Sequence, residues 1–379
     1  MRMYLPFCTM EKLKKNQTYI QIRSAIESGQ YPQGIRLPAE PDFCRQLGVS
    51  RVTLRSALSR LAKEGLIVRN TRSGTMVLSE PRKLLFINGN NESTEEYHPS
   101  SHVFPGVDQA CRQLGFGVDH LDLMLIPANG IVALAEKIRQ KYTGIITVAS
   151  CFHGQEPLLD LIRSTGLPTV LAHAQEEDYK ITGMPVIATN VRQAFADGLR
   201  HLACFGHRQV ATIWQDRSAH RGYSDDEYAA LLTSLGINSD PALNISFPMH
   251  NEKAAFSAVQ TLFRQQTVRP TALMCFSDYV AMLCYPALQA MGLRIPEDVA
   301  VMGYCGLPSR MLINPPLSTV DVGYVRIGAM AVELLLRSDE WFQPSGGESP
   351  LIYSPYMLDC RQSTDCLVWQ NLQQPNGTN

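Results

Sequence analysis

Several kinds of chemistry are missing from this 379-residue chain. Its ten cysteines are Cys8, Cys44, Cys111, Cys151, Cys204, Cys275, Cys284, Cys305, Cys360 and Cys366. They form no C-x-x-C pair, so the spacing of a structural zinc site is absent and no metal is expected. No apolar run is long enough to span a bilayer, and no leading segment has the apolar centre of a signal peptide. A cytoplasmic, reduced chain without a membrane partner is the expectation, with Cys275 and Cys284 as buried thiols. There is no G-x-S-x-G elbow and no H-E-x-x-H pair. Gly115-Phe116-Gly117 lacks the third glycine and the preceding strand of a dinucleotide loop. No catalytic residue and no cofactor are therefore expected. Charged residues make up only 18% of the chain.

That modest charge is unevenly spread. Residues 1–80 carry 13 Lys and Arg against 6 Asp and Glu, and the rest of the chain carries 21 against 29. A basic front on an acidic body suits a reader of polyanions joined to something else. Chance clustering is the bland alternative.

The basic front contains the most informative stretch, Gly34 to Val77. Pro38 and Pro41 fit at the start of a short helix that ends at Leu47-Gly48. Ser50 can cap a second helix. Leu54, Ala57, Leu58 and Leu61 recur there at helical spacing and define an apolar face. Val52, Arg55, Ser56, Ser59 and Lys63 fall on the other side, with Arg51 beside them. Gly65 stops the helix. Leu66 to Val68 and Thr75 to Val77 read as two strands joined around Ser73-Gly74, a wing carrying Arg69 and Arg72. Arginine can fork guanine O6 and N7, and hydroxyls can reach bases or phosphate. The stretch reads as a winged helix-turn-helix. Its candidate DNA-binding residues are Ser50, Arg51, Thr53, Arg55, Ser56, Arg72, Ser73 and Gly74.

Tyr31-Pro32-Gln33-Gly34, Leu37-Pro38-Ala39-Glu40, Leu47-Gly48-Val49-Ser50-Arg51, Thr53-Leu54-Arg55, Ala57-Leu58, Leu61, Glu64-Gly65-Leu66 and Gly74-Thr75 together resemble the GntR family over about residues 17–78. The resemblance implies DNA binding. Pro41 departs from it, because the family usually carries an arginine there.

From Lys83 the texture changes. Apolar runs at 84–87, 121–126, 144–149, 168–172, 186–188, 210–214, 243–247, 272–276 and 299–303 alternate with helical patterns. Those patterns lie at 105–115, 129–142, 154–166, 190–204, 225–235, 252–265, 278–291 and 325–337. Such alternation predicts α/β lobes with parallel sheets, and the two successive sets predict two lobes. Ligands of such sheets bind beyond the carboxyl ends of the strands. The expected organisation is a mobile lead (1–16), a winged helix-turn-helix (17–78), a linker (79–82), a two-lobed effector and dimerisation domain (83–366) and a tail (367–379).

His201-Leu202, Gly206-His207-Arg208, Pro270-Thr271-Ala272, Asp278, Gly292 to Val299, Gly303-Tyr304, Pro315 to Val320 and Arg361 to Thr364 resemble the LacI/GalR effector domain. That likeness implies a periplasmic-binding-protein-like fold, a small-molecule effector that is commonly a sugar, and a homodimer. A GntR-type head on such a body resembles the arabinose-regulator type of repressor.

On that basis the candidate effector residues are Asn190, Arg221, Ser277, Asp278 and Cys305. Three departures stand out. Ser277 replaces the usual Asn, and Cys305-Gly306 replaces a frequent Asp pair. The family's arginine position falls on Ser224, with Arg221 and Tyr223 close by. A thiol grips sugar hydroxyls poorly where a carboxylate would accept from two. Either the ligand is not an ordinary free sugar or sensing has been lost. Asn190 and Asp278 also suit helix capping. Tyr97, His98 and His102 fall in an expected loop, and Glu176-Glu177-Asp178 reads as a solvated acidic run. His201 and His207 read as structural.

The expected function is a transcriptional repressor that binds a double-stranded operator and whose affinity a small sugar-like effector modulates. Two alternatives stay open: a constitutive DNA-binding dimer with a ligand-insensitive body, and a sugar-binding module without DNA regulation.

Overall fold

The computed structural model describes residues 7–32, 34–70, 74–77, 83–89, 99–122, 130–215, 222–248, 251–265, 269–342 and 350–364. The expected linker at 79–82, the tail at 367–379, and Arg72, Ser73, Tyr97, His98 and Arg221 lie outside the described residues.

The head opens with helix α1 (Phe7–Glu27), so the stretch expected as a lead is helical from Phe7 onward. Helix α2 (Glu40–Leu47) carries Pro41 in its first turn, where a missing N–H breaks no bond. Gly48 then turns left-handed at φ 65°, and Ser50 caps α3 (Arg51–Lys63). Strands β1 (Ile67–Asn70) and β2 (Gly74–Val77) pair antiparallel, and an isolated bridge from Arg36 to Met76 extends the wing. Tyr19 and Ile22 of α1, Phe43 of α2, Leu54, Leu58 and Leu61 of α3, and Ile67 and Val77 of the wing form one buried cluster. The helical spacing read in α3 is therefore its core face.

The body consists of β3 (Lys83–Asn88), α4 (Pro99–Leu114), β4 (Gly117–Asp122), α5 (Ile131–Lys141), β5 (Tyr142–Val148), α6 (Pro157–Thr165), β6 (Thr169–Ala174), α7 (Glu176–Thr182) and β7 (Val186–Thr189). There follow α8 (Val191–Cys204), β8 (Val210–Gln215), α9 (Asp225–Ser234), β9 (Asn244–Phe247), α10 (Glu252–Gln265), β10 (Ala272–Cys275), α11 (Asp278–Ala290) and β11 (Ala300–Cys305). The last elements are β12 (Ser318–Asp321), α12 (Tyr324–Leu336), α13 (Ser338–Trp341), β13 (Leu351–Ser354) and β14 (Met357–Asp359).

These elements divide into two units. The first holds residues 103–187 and 328–351 together with the head, and the second holds 188–327 and the residues from Ile352 on. The first unit's sheet runs β13-β7-β6-β5-β3-β4 and the second's β14-β12-β11-β10-β8-β9. Taken in chain order, five strands of each sheet follow a 2-1-3-4-5 arrangement with a switch point, between β3 and β5 in one and between β8 and β10 in the other. The pairs around both switch points are parallel. Residues Glu96–His102 also belong to the second unit; beyond them the chain passes to it after Ile187, returns after Ile327 and passes again after Leu351. A buried cluster in the second unit is built on Ala211, Ile213, Leu273, Val280, Leu288, Val301 and Leu317, with Phe247, Phe263 and Tyr285 among them.

Four readings need correction. The strand expected at 121–126 is β4 at 117–122, a half-exposed edge strand that an apolar run could not reveal. His102 sits in α4 rather than a loop, its ring stacked on Tyr324 with centroids 5.7 Å apart. The run Glu176–Asp178 is not simply solvated: it opens α7, and Asp178 is buried and closes a capping box with Gln175. Its carboxylate also accepts the Phe152 N–H at 2.9 Å. Strands β12, β13 and β14 were not anticipated, being three or four residues long.

Candidate functional site

The nucleic-acid candidate surface is the outer face of α3. Ser50 Oγ accepts the Thr53 N–H at 3.1 Å and meets the Thr53 hydroxyl at 2.9 Å. This closure fixes the helix start and turns Thr53 inward, where it is buried. Thr53, expected as a DNA contact, is thus engaged in the cap. The reason is periodicity: position 53 lies beside Leu54 and Ala57 on the core side. Ser50, Arg51, Val52, Arg55, Ser56 and Ser59 are exposed. Arg51 makes no hydrogen bond or ion pair among the described residues, so its guanidinium is available. Gly74 begins β2 with φ 81°, at the point where the wing turns back.

Sequence reasoning missed Glu40 as a participant. Arg55 Nε donates to Glu40 Oε2 at 2.8 Å, and Arg69 Nη2 donates to Glu40 Oε1 at 2.8 Å. One carboxylate thus ties the outer face of α3 to the wing. The bond from Arg55, foremost, holds the Glu40 carboxyl below its ordinary range. The signal in the sequence was the family-pattern glutamate followed by Pro41 rather than arginine.

The second candidate region is the carboxyl ends of the body strands, taken unit by unit. In the second unit, Asn190 Oδ1 accepts the Gln193 N–H at 3.1 Å and caps α8. Ser277 Oγ accepts the Val280 N–H at 3.2 Å and caps α11, so the cap is Ser277 and not Asp278. Asp278 is fully buried. One carboxylate oxygen accepts the Leu307 N–H and the other the Thr319 hydroxyl. Burial pushes this carboxyl up to about 7. Gly303 stands opposite, where a Cβ would overlap the Asp278 carboxylate.

Cys305 ends β11 in a left-handed conformation, φ 109°, and burial pushes its thiol up to about 12. It is therefore a neutral thiol at physiological pH. Gly306 follows, also left-handed, and a Cβ there would overlap the Asp321 carboxyl. Arg310 locks the same turn through the Gly306 and Leu307 carbonyls and through Asp321 and Asp359. Trp214, Phe276 and Tyr304 gather aromatic surface near these ends, with the Phe276 and Tyr304 rings parallel within 9°.

A pattern that sequence could not supply runs through both units. Among the described residues, four buried side-chain oxygens have no hydrogen-bond partner: Asn88 Oδ1, Thr189 Oγ1, the Tyr304 hydroxyl and Ser354 Oγ. Asn88, Thr189 and Ser354 are the last residues of β3, β7 and β13, and Tyr304 is next to last in β11. The left-handed residues other than glycine among the described positions are Cys151, His173 and Cys305, all at or just beyond strand carboxyl ends. Unsatisfied buried oxygens and strained backbone both concentrate where ligands complete a site. His201 and His207 do structural work, meeting Thr364 at 3.2 Å and Thr271 at 3.0 Å.

A winged helix-turn-helix joined to two doubly wound units whose strand ends hold unfilled polar groups defines a class: a nucleic-acid-binding head on a ligand-binding body. Comparison with known proteins gives the same two parts. Residues 14–77 match the bacterial regulatory proteins of the gntR family, and residues 199–364 match the periplasmic binding protein-like domain. The chain is 24% identical to the arabinose metabolism transcriptional repressor of Geobacillus stearothermophilus, across 93% of this chain and 99% of that protein. It is 27% identical to the HTH-type transcriptional repressor PurR of Aliivibrio fischeri, across 64% of this chain and 72% of that one. Its fold resembles that of a LacI family regulator from Enterococcus faecium solved with bound ribose: TM-score 0.56, 17% identity, 74% of this chain and 98% of that one. The front of the chain is therefore similar to the gntR family and the rest to the periplasmic binding protein-like domain, with the fold of the LacI family neighbour.

Proposed function

We propose that this protein is a transcriptional repressor that works as a homodimer, reads an operator with the outer face of α3, and responds to a small molecule bound at strand carboxyl ends of the body. The observation that carries the proposal is the exposed Arg51–Val52–Arg55–Ser56 face on a capped helix, inside a head of the GntR family. The repressor relatives and the charge split support it. On this reading the body acts by binding rather than by turnover, and a DNA target fits a cytoplasmic protein.

A dimer presents two heads to a pseudo-palindromic site whose half-sites follow the helical repeat. An effector that favours one arrangement of the body over another shifts operator affinity by that difference in binding free energy. Asn190, Arg221, Ser277, Asp278 and Cys305 are the expected contacts, of which Arg221 lies outside the described residues. Asp278 has both oxygens engaged internally, so the better candidates in the second unit are Thr189 and Tyr304, whose oxygens lack partners. A sugar or sugar derivative is the effector class we favour, in line with the ribose-bound neighbour. A constitutive dimer is the second reading, favoured by the neutral Cys305 thiol and the engaged Asp278.

The test has two arms. Duplexes selected by the full chain from random sequence should outcompete random DNA by about a thousandfold or more. Equal affinity for both overturns the repressor proposal. A thermal-shift panel of sugars and phosphosugars should then raise the melting temperature for one of them. No response from any favours the constitutive dimer.

A further inference from the structure

We propose that Val52 reads the 5-methyl group of a thymine in the operator's major groove. The inference rests on the DNA-reading proposal above and adds to it a base and a chemical contact. Val52 is the second residue of α3, beside Arg51 and ahead of Arg55 on the outward face. The residue is 64% exposed, and it belongs neither to the buried cluster of the head nor to the residues packed against that cluster. Nothing in the folding of the head asks for valine here. At an exposed helical position a β-branched residue is less favourable than alanine or arginine. The other outward residues, Ser50, Arg51, Arg55, Ser56 and Ser59, are all polar or charged. Val52 is thus the apolar point on a polar reading face.

The major groove offers one apolar group on a normal base edge, the thymine C5-methyl. The N-terminal residues of a recognition helix are the ones that meet base edges. Valine in a helix keeps essentially one side-chain rotamer, so its two methyl groups face the groove in a fixed direction. The closure between Ser50 and Thr53 holds the backbone that carries it. Arg51 and Arg55 can fork guanine on either side. The half-site recognised by this chain therefore contains a thymine next to a guanine, with the thymine contact supplied by Val52.

The experiment uses the full chain and a duplex that the chain itself has selected from random sequence. Each thymine is replaced in turn by deoxyuridine, which removes only the methyl group, and affinity is read by fluorescence anisotropy. For the wild type, one thymine per half-site should matter, with loss of its methyl weakening binding about three- to tenfold. Val52→Ala should bind the thymine duplex about as weakly as the wild type binds the deoxyuridine duplex. The variant should be indifferent to that methyl group, and its salt dependence should be unchanged because no phosphate contact is lost. Val52→Thr, which keeps one γ-methyl and replaces the other with a hydroxyl, should retain part of the methyl effect, between the wild type and Val52→Ala. Sequence-selective binding that ignores every thymine methyl overturns this inference alone. So does a methyl effect that persists at full size in Val52→Ala. Failure of the wild type to prefer any duplex overturns the DNA-reading proposal and this inference with it.

Discussion

Glu40→Gln removes the carboxylate that holds Arg55 and Arg69, and its consequences can be worked out from the geometry. The Arg55 side chain is 63% exposed, that of Arg69 36%, and that of Glu40 26%. Ion pairs this open to water contribute about 0.2–1 kcal/mol each, so the head should lose only about 1 kcal/mol of stability. Glu40 is held below its ordinary value, so that contribution is present above about pH 4.5 and disappears as pH falls through the lower folded value. Wild type and variant should converge in acid.

The effect on DNA is the more informative one. Glu40 engages Nε of Arg55, and no hydrogen bond to either terminal nitrogen is seen among the described residues. Those two nitrogens can fork guanine while the third stays anchored, a contact worth about 1–3 kcal/mol. Ordering a free arginine side chain costs up to about 2 kcal/mol, and Glu40 has met part of that cost before DNA arrives. Without the anchor, operator binding should weaken by about 1 kcal/mol, roughly fivefold. Random DNA should bind slightly more tightly, because one negative charge has left the phosphate-facing side. Anisotropy titrations against selected and random duplexes at two salt concentrations give both numbers. Tighter operator binding with an unchanged or higher preference over random DNA would refute the reasoning, since Glu40 would then be withholding Arg55 instead of presenting it.

Three other perturbations are expected to behave as follows. Ser50→Ala removes the α3 cap and leaves the Thr53 hydroxyl without its neighbour, and should lower head stability by about 1 kcal/mol in denaturant titrations. Burial raises the Asp278 carboxyl to about 7 from its ordinary 3.8, so its contribution is full below about pH 4 and is lost as pH rises through 7. That amounts to about 3–5 kcal/mol, and Asp278→Asn should flatten the melting temperature of the chain across this window. A variant with the wild-type slope would show that another group titrates there. Gly328 of α12 lies so close to the backbone of Val103 and Val107 in α4 that a Cβ could not fit. Gly328→Ala should cost at least about 1–3 kcal/mol of overpacking, read as a lower unfolding midpoint with an unchanged denaturant slope.

Much of the head was legible because its signals are local. Pro41, Gly48 and Ser50 mark helix boundaries through their own backbone chemistry. The spacing of Leu54, Leu58 and Leu61 gives the buried face without any knowledge of what covers it. The alternation of the body likewise announced parallel sheets, since a strand buried on both faces must be apolar throughout, as β5 and β7 largely are. Strand β4 escaped because an edge strand is covered less completely and can keep Asp119 and His120, while the more apolar residues beyond it drew the eye.

The sequence by itself determined the two parts, their fold class and the cationic face of α3, because periodicity, caps and turns act over a few residues. Only the tertiary structure decided which polar groups are spent and which are open. Thr53 and Asp278, expected as ligand contacts, are engaged by Ser50 and by Leu307 and Thr319. Glu40 looked incidental until residues 15 and 29 positions away converged on it. Asn88 carried no motif and Tyr304 only a family pattern, yet each places a buried oxygen without a partner at the end of a strand. Whether a polar atom is satisfied depends on groups far apart in the chain, and that information exists only once the chain has folded.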